Sequence, residues 1–491
     1  MLADQPPFVS DPLDHDKIKD ECGVFGVIGV TDAANYVALG LHALQHRGQE
    51  AGGIVAHDPD QGFNSVRRFG YVRDNFTSVS TMKTLPGPLA IGHVRYSTTG
   101  SKGHTAIRDV QPFFGEFAMG GAAIAHNGNI TNAVSLRRDL IQRGAIFQSS
   151  SDTECIIHLM ARSMGQTIPD RMKEALRQVE GAFSVVAMTR SKLIGVRDPL
   201  GIRPLVLGKM GDAHVLASET CALDIIGADF IRQVDPGEMV VIKASGQIDS
   251  YRPFEAKKPR PCIFEFVYFS RPDSVIDGKS VYEVRRNIGK ELAREAPVEA
   301  DMVCPVPDSG TPAAIGYSQE SGIPFEMGIV RNQYVGRTFI EPTEQIRNMG
   351  VRLKLNVNRA LMRDKRVILV DDSVVRGTTS RKIKDMVLEA GAKEVHFRVA
   401  SPPTIWPDFY GVDMPNRDEL LAAHMTEDEM RDYLGVASLK FVSIDGLYRA
   451  VGEKDGRDPK NPAYHDAVFT GDYPVLPKDM MEQGFRLKAA E

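Results

Sequence analysis

The chain has 491 residues, enough for two to four domains, each with its own buried core. Its 59 basic and 64 acidic residues leave a net charge of -5, which gives no basic footprint for nucleic acid or an anionic membrane. It has no apolar run long enough to span a bilayer and no signal-peptide core. Its five cysteines lack paired spacing, as expected for a reducing, cytoplasmic compartment.

In chain order, residues 1–21 are polar and Pro-bearing and read as a short leader. From Cys22 to about residue 255, β-type runs dominate: Gly23–Ile28, Gly53–Ala56, Leu89–His93, Ala122–His126, Phe183–Met188 and Met239–Ile242. Helical stretches are predicted near 33–45 and 152–164. The pattern is α+β with much antiparallel sheet. Residues 252–261 are rich in Pro and Lys and read as an interdomain linker, so the second domain is taken as 256–491. There, strands at 302–306, 366–371 and 394–400 alternate with helices at 311–320 and 379–390. That alternation predicts a parallel α/β domain with its ligand at the strand carboxyl ends. The tail from about 403 is expected to be irregular and to wrap the second domain.

The most informative stretch is Val370-Asp371-Asp372-Ser373-Val374-Val375-Arg376-Gly377-Thr378-Thr379-Ser380. It joins a buried strand to an amphipathic helix that Gly391 stops. Two carboxylates therefore stand at a strand end, with hydroxyls and a glycine leading into the helix. The N–H groups of a helix N-terminus cradle phosphate, and paired acids face ribose hydroxyls or a Mg²⁺ ion. A bare Asp-Asp pair would otherwise be a solvated loop or a helix cap. The full string resembles the phosphoribosyl-pyrophosphate (PRPP) loop of type I phosphoribosyltransferases. On that resemblance, Asp371, Asp372, Ser373, Arg376, Gly377, Thr378 and Thr379 bind PRPP. Pro305–Pro312 resembles the same family's pyrophosphate loop, so Ser309 joins Asp371 and Asp372 around Mg²⁺. Ile329–Ile340 resembles its closing loop, with Arg337 on PRPP, and Lys354 beyond it meets a phosphate.

In the first half, Asp20-Glu21-Cys22-Gly23-Val24-Phe25-Gly26 resembles the start of mature class II glutamine amidotransferases, which are N-terminal-nucleophile hydrolases. The resemblance implies removal of 1–21, Cys22 as nucleophile and its own α-amine as base. An amine of pKa near ~8 suits that task. His93–Thr98 resembles the segment whose arginine, here Arg95, clamps the glutamine α-carboxylate. His126-Asn127-Gly128-Asn129 resembles the oxyanion hole, made by the Asn127 amide and the Gly128 N–H. Ser150–Glu154 resembles the segment whose aspartate, here Asp152, receives the α-ammonium.

Together the halves resemble the glutamine PRPP amidotransferases of purine synthesis, in the branch that carries a leader. The implied fold is an αββα N-terminal-nucleophile hydrolase domain followed by a type I phosphoribosyltransferase domain. The family implies ammonia passing internally from glutamine to PRPP, a homotetramer, and inhibition by purine nucleotides. Part of that branch holds an iron–sulfur cluster on four cysteines. Here only Cys262 remains, with Asp408, His465 and Val468 at the other positions. No cluster is expected, because such clusters want thiolates, and Cys262 reads as a buried apolar residue. A single metal on Cys262, Asp408 and His465 stays open. Other readings are another class II amidotransferase, against which the 370–380 string argues, a regulatory protein without catalysis, and a transferase using only free ammonia if the leader is retained.

Overall fold

The computed structural model describes residues 19–20, 22–96, 107–332, 354–413 and 416–482. The expected leader (apart from residues 19–20), Arg337 and most of the expected closing loop lie outside them.

The first half is built on two antiparallel sheets laid face to face. One has seven strands, in the order Asp229–Gln233, Val206–Met210, Ala213–Ala217, Gly23–Ile28, Leu89–Arg95, Ala51–Asp58 and Gly62–Phe69. The other has six: Ile248–Tyr251, Met239–Lys243, Lys192–Arg197, Gly181–Met188, Gly120–Ile130 and Phe113–Phe117. Val24, Ile91 and Leu216 of the first sheet meet Val186, Leu193 and Val240 of the second in one apolar layer. Helix Ala33–Ala43 covers the outer face of the first sheet through Val37 and Leu41. Helices Thr153–Arg162 and Ile168–Leu176 cover the second through Ile156, Met160 and Met172. Because both faces are covered at the centre of each sheet, the inner strands read as continuous apolar runs, whereas the edge strands are partly exposed. The expected αββα arrangement is what forms.

The second half is a four-stranded parallel sheet in the order Met302–Pro305, Arg366–Asp371, Glu394–Val399, Ser438–Phe441. Helices Val281–Glu295 and Thr311–Ser321 lie together and supply Ile288, Leu292, Ala313 and Tyr317 to one core. Helix Thr378–Glu389 supplies Ile383 and Val387 to another. A short antiparallel pair, Ile329–Arg331 with Leu355–Val357, stands beside the sheet.

The tail departs from expectation. It is not irregular: Ser438–Phe441 is the fourth parallel strand, and helices Glu427–Leu434 and Ile444–Ala450 follow the same packing. Nor does it stay on the second half. Asp479 accepts from the N–H groups of Val134 (2.8 Å) and Ser135 (3.2 Å), and Lys478 pairs with Glu180 at 2.7 Å.

The halves share apolar packing. Ala182, Leu200 and Ile202 sit in one cluster with Cys262, Phe264, Tyr410 and Phe469. Beside it runs a buried charge network. Arg47 meets Glu219 and, at 2.6 Å, Glu265; Arg203 meets Glu265 at 3.1 Å; Ser270 donates to Glu265. Burial pushes both carboxyls up, but the arginines outweigh it and hold Glu219 and Glu265 below the usual range.

Candidate active site

Cys22 is buried, in a left-handed backbone conformation (φ 71°), at the head of strand Gly23–Ile28. Its N–H donates to the Arg47 carbonyl at 3.0 Å. Gly23 faces Val94 in the ladder, so Cys22 lies where the neighbouring strand delivers Arg95. Arg95 Nη1 donates to the Asp109 carbonyl at 2.8 Å, while its Nε is buried without a hydrogen-bond partner among the described residues. The Asp109 carboxylate takes the Ser150 N–H at 2.7 Å, two residues before Asp152. Asp109 thus links Arg95 to the segment that carries Asp152. Asp152 stands at the N-terminus of helix Thr153–Arg162 and accepts from Thr153 (2.7 Å) and Ile130 (3.0 Å) backbone N–H groups. The Thr153 (3.2 Å) and Ser151 (3.4 Å) hydroxyls also donate to it, and these longer contacts are the ones an incoming ammonium would displace.

The second sheet supplies the opposite wall. Asn127 and Gly128 lie inside strand Gly120–Ile130, facing Ser184 and Phe183. Asn127 is fully buried, and neither its Oδ1 nor its Nδ2 has a partner among the described residues. An orphaned amide of this kind costs free energy unless a ligand satisfies it. Gly128 has φ 138°, and a Cβ there would stand 2.1 Å from the Ala182 carbonyl oxygen, so only glycine fits. His93 spans the two sheets, its Nε2 3.1 Å from the His126 carbonyl. Burial, then the nearby Arg95 charge, lowers the His93 pKa to about 3, and burial lowers His126 as well. Both imidazoles are neutral at working pH.

The second site forms at the carboxyl end of the parallel sheet. Asp371 closes strand Arg366–Asp371, and Asp372 follows it. Both are buried. Ser309 Oγ donates to Asp372, as does Ser373 Oγ at 2.6 Å. Gly377 (φ 76°) opens helix Thr378–Glu389 with no side chain capping the first turn. Arg376 is engaged by Glu419, Nε to carboxylate 3.0 Å. Carboxylates and a hydroxyl are hard oxygen donors of the kind Mg²⁺ takes.

A cavity of about 360 Å³ opens beside these groups. His46, Gln49 and Tyr96 line it from the first half; Arg285, Asp308, Ser309, Lys354 and Thr379 line it from the second. Burial lowers the Lys354 pKa to about 8 and that of Arg285 to about 10. Arg285 is held by the carbonyls of Phe266 (2.8 Å) and Ser270 (2.7 Å), and Arg331 pairs with Asp308 at 2.8 Å. Sequence reasoning missed Arg285 and Asp109. Arg285 sits on an ordinary amphipathic helix, and no local pattern distinguishes it.

Cys262, Asp408 and His465 come together, as do their chain neighbours. Cys262 bridges His465 through the backbone, and His465 Nε2 lies 2.7 Å from Asp408. Val468 is a buried apolar neighbour. One thiol, one carboxylate–imidazole hydrogen bond and one valine do not make a thiolate-ligated cluster site. Among the described residues no group of three His, Cys, Asp or Glu is placed to hold a metal ion.

Two family models match the chain: a glutamine amidotransferase domain over residues 98–224 and a phosphoribosyl transferase domain over 275–401. An amidophosphoribosyltransferase of Rhizobium etli is 57% identical over 484 residues, 97% of each chain. The Bacillus subtilis amidophosphoribosyltransferase is 46% identical, covering 93% of this chain and 95% of its own. A solved structure of the B. subtilis glutamine PRPP amidotransferase, complexed with ADP and GMP, superposes with a TM-score of 0.86 at 46% identity, over 93% of this chain and 98% of that one.

Proposed function

The chain belongs to the amidophosphoribosyltransferases, the glutamine-hydrolysing transferases of purine biosynthesis, and from that premise we propose how its residues share the work. Residues 1–21 are a leader whose removal frees the Cys22 α-amine; 22–255 form the glutaminase and 256–491 the transferase. Arg95 takes the glutamine α-carboxylate and Asp152 the α-ammonium. The α-amine accepts the thiol proton, and Cys22 Sγ attacks the side-chain amide carbon. The oxyanion is met by Asn127 Nδ2 and the Gly128 N–H. Collapse expels ammonia and leaves a thioester, which water hydrolyses to glutamate. The buried, unpartnered Asn127 amide supports this reading of the first site.

The cavity lined by both halves is the observation that carries the coupled reaction. Ammonia crosses it and attacks the anomeric carbon of PRPP, with pyrophosphate leaving and 5-phosphoribosylamine formed. Asp371 and Asp372 face the ribose. The first turn of helix Thr378–Glu389, with Ser373, Arg376 and Gly377, holds the 5-phosphate, and Lys354 and Arg337 hold other phosphates. Arg376 must leave Glu419 to do so. Ser309, Asp371 and Asp372 would hold Mg²⁺, which would offset charge on the leaving pyrophosphate. No iron–sulfur cluster is assigned, on the chemistry of Cys262, Asp408, His465 and Val468. We further assign a cytoplasmic homo-oligomer, a tetramer by family likeness, inhibited by purine nucleotides. Among the described residues no helix is long and apolar enough to cross a membrane.

Isotope competition tests the coupled reading. With amide-¹⁵N glutamine, PRPP, Mg²⁺ and excess unlabelled ammonium, internal transfer keeps the label in the phosphoribosylamine. Dilution to the bulk ratio would mean that ammonia is released to solvent. Intact mass addresses the leader: loss of Met1–Glu21 supports it, and retention leaves Cys22 without a free amine and the chain a transferase of free ammonia.

A further inference from the structure

The transferase half reaches into the glutaminase site through one turn, Asp408-Phe409-Tyr410-Gly411. The Phe409 carbonyl accepts from Asn129 Nδ2 at 2.9 Å. Gly411, at φ 103°, packs so closely that a Cβ on it would stand 2.9 Å from Gly128 Cα. Both contacts fall on the strand that carries the Asn127 amide and the Gly128 N–H. The Tyr410 carbonyl accepts from Arg203 Nε at 3.0 Å, and Arg203 belongs to the buried network between the halves. Just past the turn, Val412–Asp413 pairs antiparallel with Lys19–Asp20, two residues short of Cys22. With residues 19–20 in place the segment also lies beside the approach to Cys22; once they are removed, its contacts with the oxyanion strand remain.

The turn has a clasp of its own. Asp408 Oδ1 accepts the Tyr410 N–H at 2.6 Å, closing the turn on itself. Asp408 Oδ2 meets His465 Nε2 at 2.7 Å, and both side chains are about 1% exposed. His465 is fixed in turn by its backbone: its N–H donates to the Pro261 carbonyl (2.9 Å), and its carbonyl accepts from Ile263 (3.1 Å). The Tyr410 ring packs edge-on against the His465 imidazole at 4.7 Å. A buried carboxylate held by a ring nitrogen and a backbone N–H is fixed in place, because every misaligned arrangement leaves a buried polar group unsatisfied.

We propose that the turn 408–411 is a positioning element of the oxyanion hole, and that the Asp408–His465 pair holds it in register against Asn129 and Gly128. The proposal rests on the assignment of Asn127 and Gly128 as oxyanion donors. It makes the glutaminase dependent on five residues of the other domain, 408–411 and His465, that touch no substrate. Oxyanion donors act only when aimed where the charge develops, so a shift of the strand weakens turnover more than glutamine binding.

The test uses the processed full-length enzyme, with glutamine or ammonium chloride as nitrogen source. Asp408→Ala should lower glutamine-dependent kcat about tenfold or more, a part of the ~10²-fold cost of losing a donor. Glutamine KM and ammonia-dependent kcat should stay within about twofold. Asp408→Asn, which keeps the acceptor for Tyr410, should recover most of the loss. Asn129→Ala removes one hydrogen bond at a half-buried position and should fold even if Asp408→Ala does not; it should lower glutamine-dependent kcat about threefold or more with ammonia use unchanged. Equal loss with both nitrogen sources, or no loss in either variant, overturns the proposal. Asn127→Ala separates the underlying assignment: if it keeps full glutaminase activity, the oxyanion reading itself fails.

Discussion

The two sites differ in what their polar groups are doing before any substrate arrives. In the first, the Asn127 amide and Arg95 Nε are buried with no partner among the described residues. In the second, Asp372 is already held by Ser309 and Ser373, and Arg376 by Glu419. On the proposed assignment, the first site is a fixed mould whose unmet hydrogen bonds the substrate completes, and the second exchanges internal bonds for substrate and cation. Fixed strands suit chemistry that needs donors aimed at one oxygen. Exchange at a strand end suits a large, highly charged ligand whose binding can be made conditional.

Removing the nucleophile breaks the comparison most sharply. Cys22→Ala should lower glutamine-dependent turnover by roughly 10⁴-fold or more, while ammonia-dependent formation of phosphoribosylamine survives; steady-state rates with each nitrogen source decide it. The converse variant, Asp371→Asn, should cost both nitrogen sources alike, on the order of 10²-fold, because it weakens a charge clamp both reactions use. If it spared ammonia-dependent turnover, these acids would not be at the PRPP site.

The junction is tested by stability. Glu265 is buried between Arg47 and Arg203, so Glu265→Ala strips Arg203 of this carboxylate, leaves Arg47 with Glu219, and should cost about 3–5 kcal/mol in denaturant unfolding. A cost below ~1 kcal/mol would place the network in water. Two pH effects are smaller. Lys354 loses its charge as pH rises through its folded value of about 8, so KM for PRPP should climb above that pH, and Lys354→Arg should flatten the climb. His93 has a folded pKa of about 3, below its unfolded value. Its contribution is therefore present above pH ~6.5 and lost as pH falls, by about 1.4 kcal/mol per unit. Unfolding midpoints measured from pH 7 to 5 check this.

Legibility followed how local the chemistry is in sequence. Residues 370–380 put acids, hydroxyls and a glycine into one loop, so strand, helix and ligand class could be read together. Cys22, Arg95, Asn127 and Asp152 each lie in a short string, and the two packed sheets carry those strings on neighbouring strands and the helix that follows. What could not be read is what the fold assembles from distant pieces. Arg47, Arg203, Glu219 and Glu265 look like surface charges until the halves close on them. Arg285 is one arginine of an amphipathic helix until the cavity forms around it. The strand Ser438–Phe441 is four residues with alternating burial, too short to stand out from loop. The Phe409 carbonyl is backbone, and no side-chain pattern marks its bond to Asn129.

The account's central claim is that one chain couples glutamine hydrolysis to PRPP transfer across a shared cavity. The most direct measurement is glutamate release from glutamine with and without PRPP and Mg²⁺, with pyrophosphate followed in the same samples. Strong stimulation by PRPP, with glutamate and pyrophosphate appearing one for one, is the predicted result. Glutaminase activity indifferent to PRPP, with no pyrophosphate formed, would contradict it.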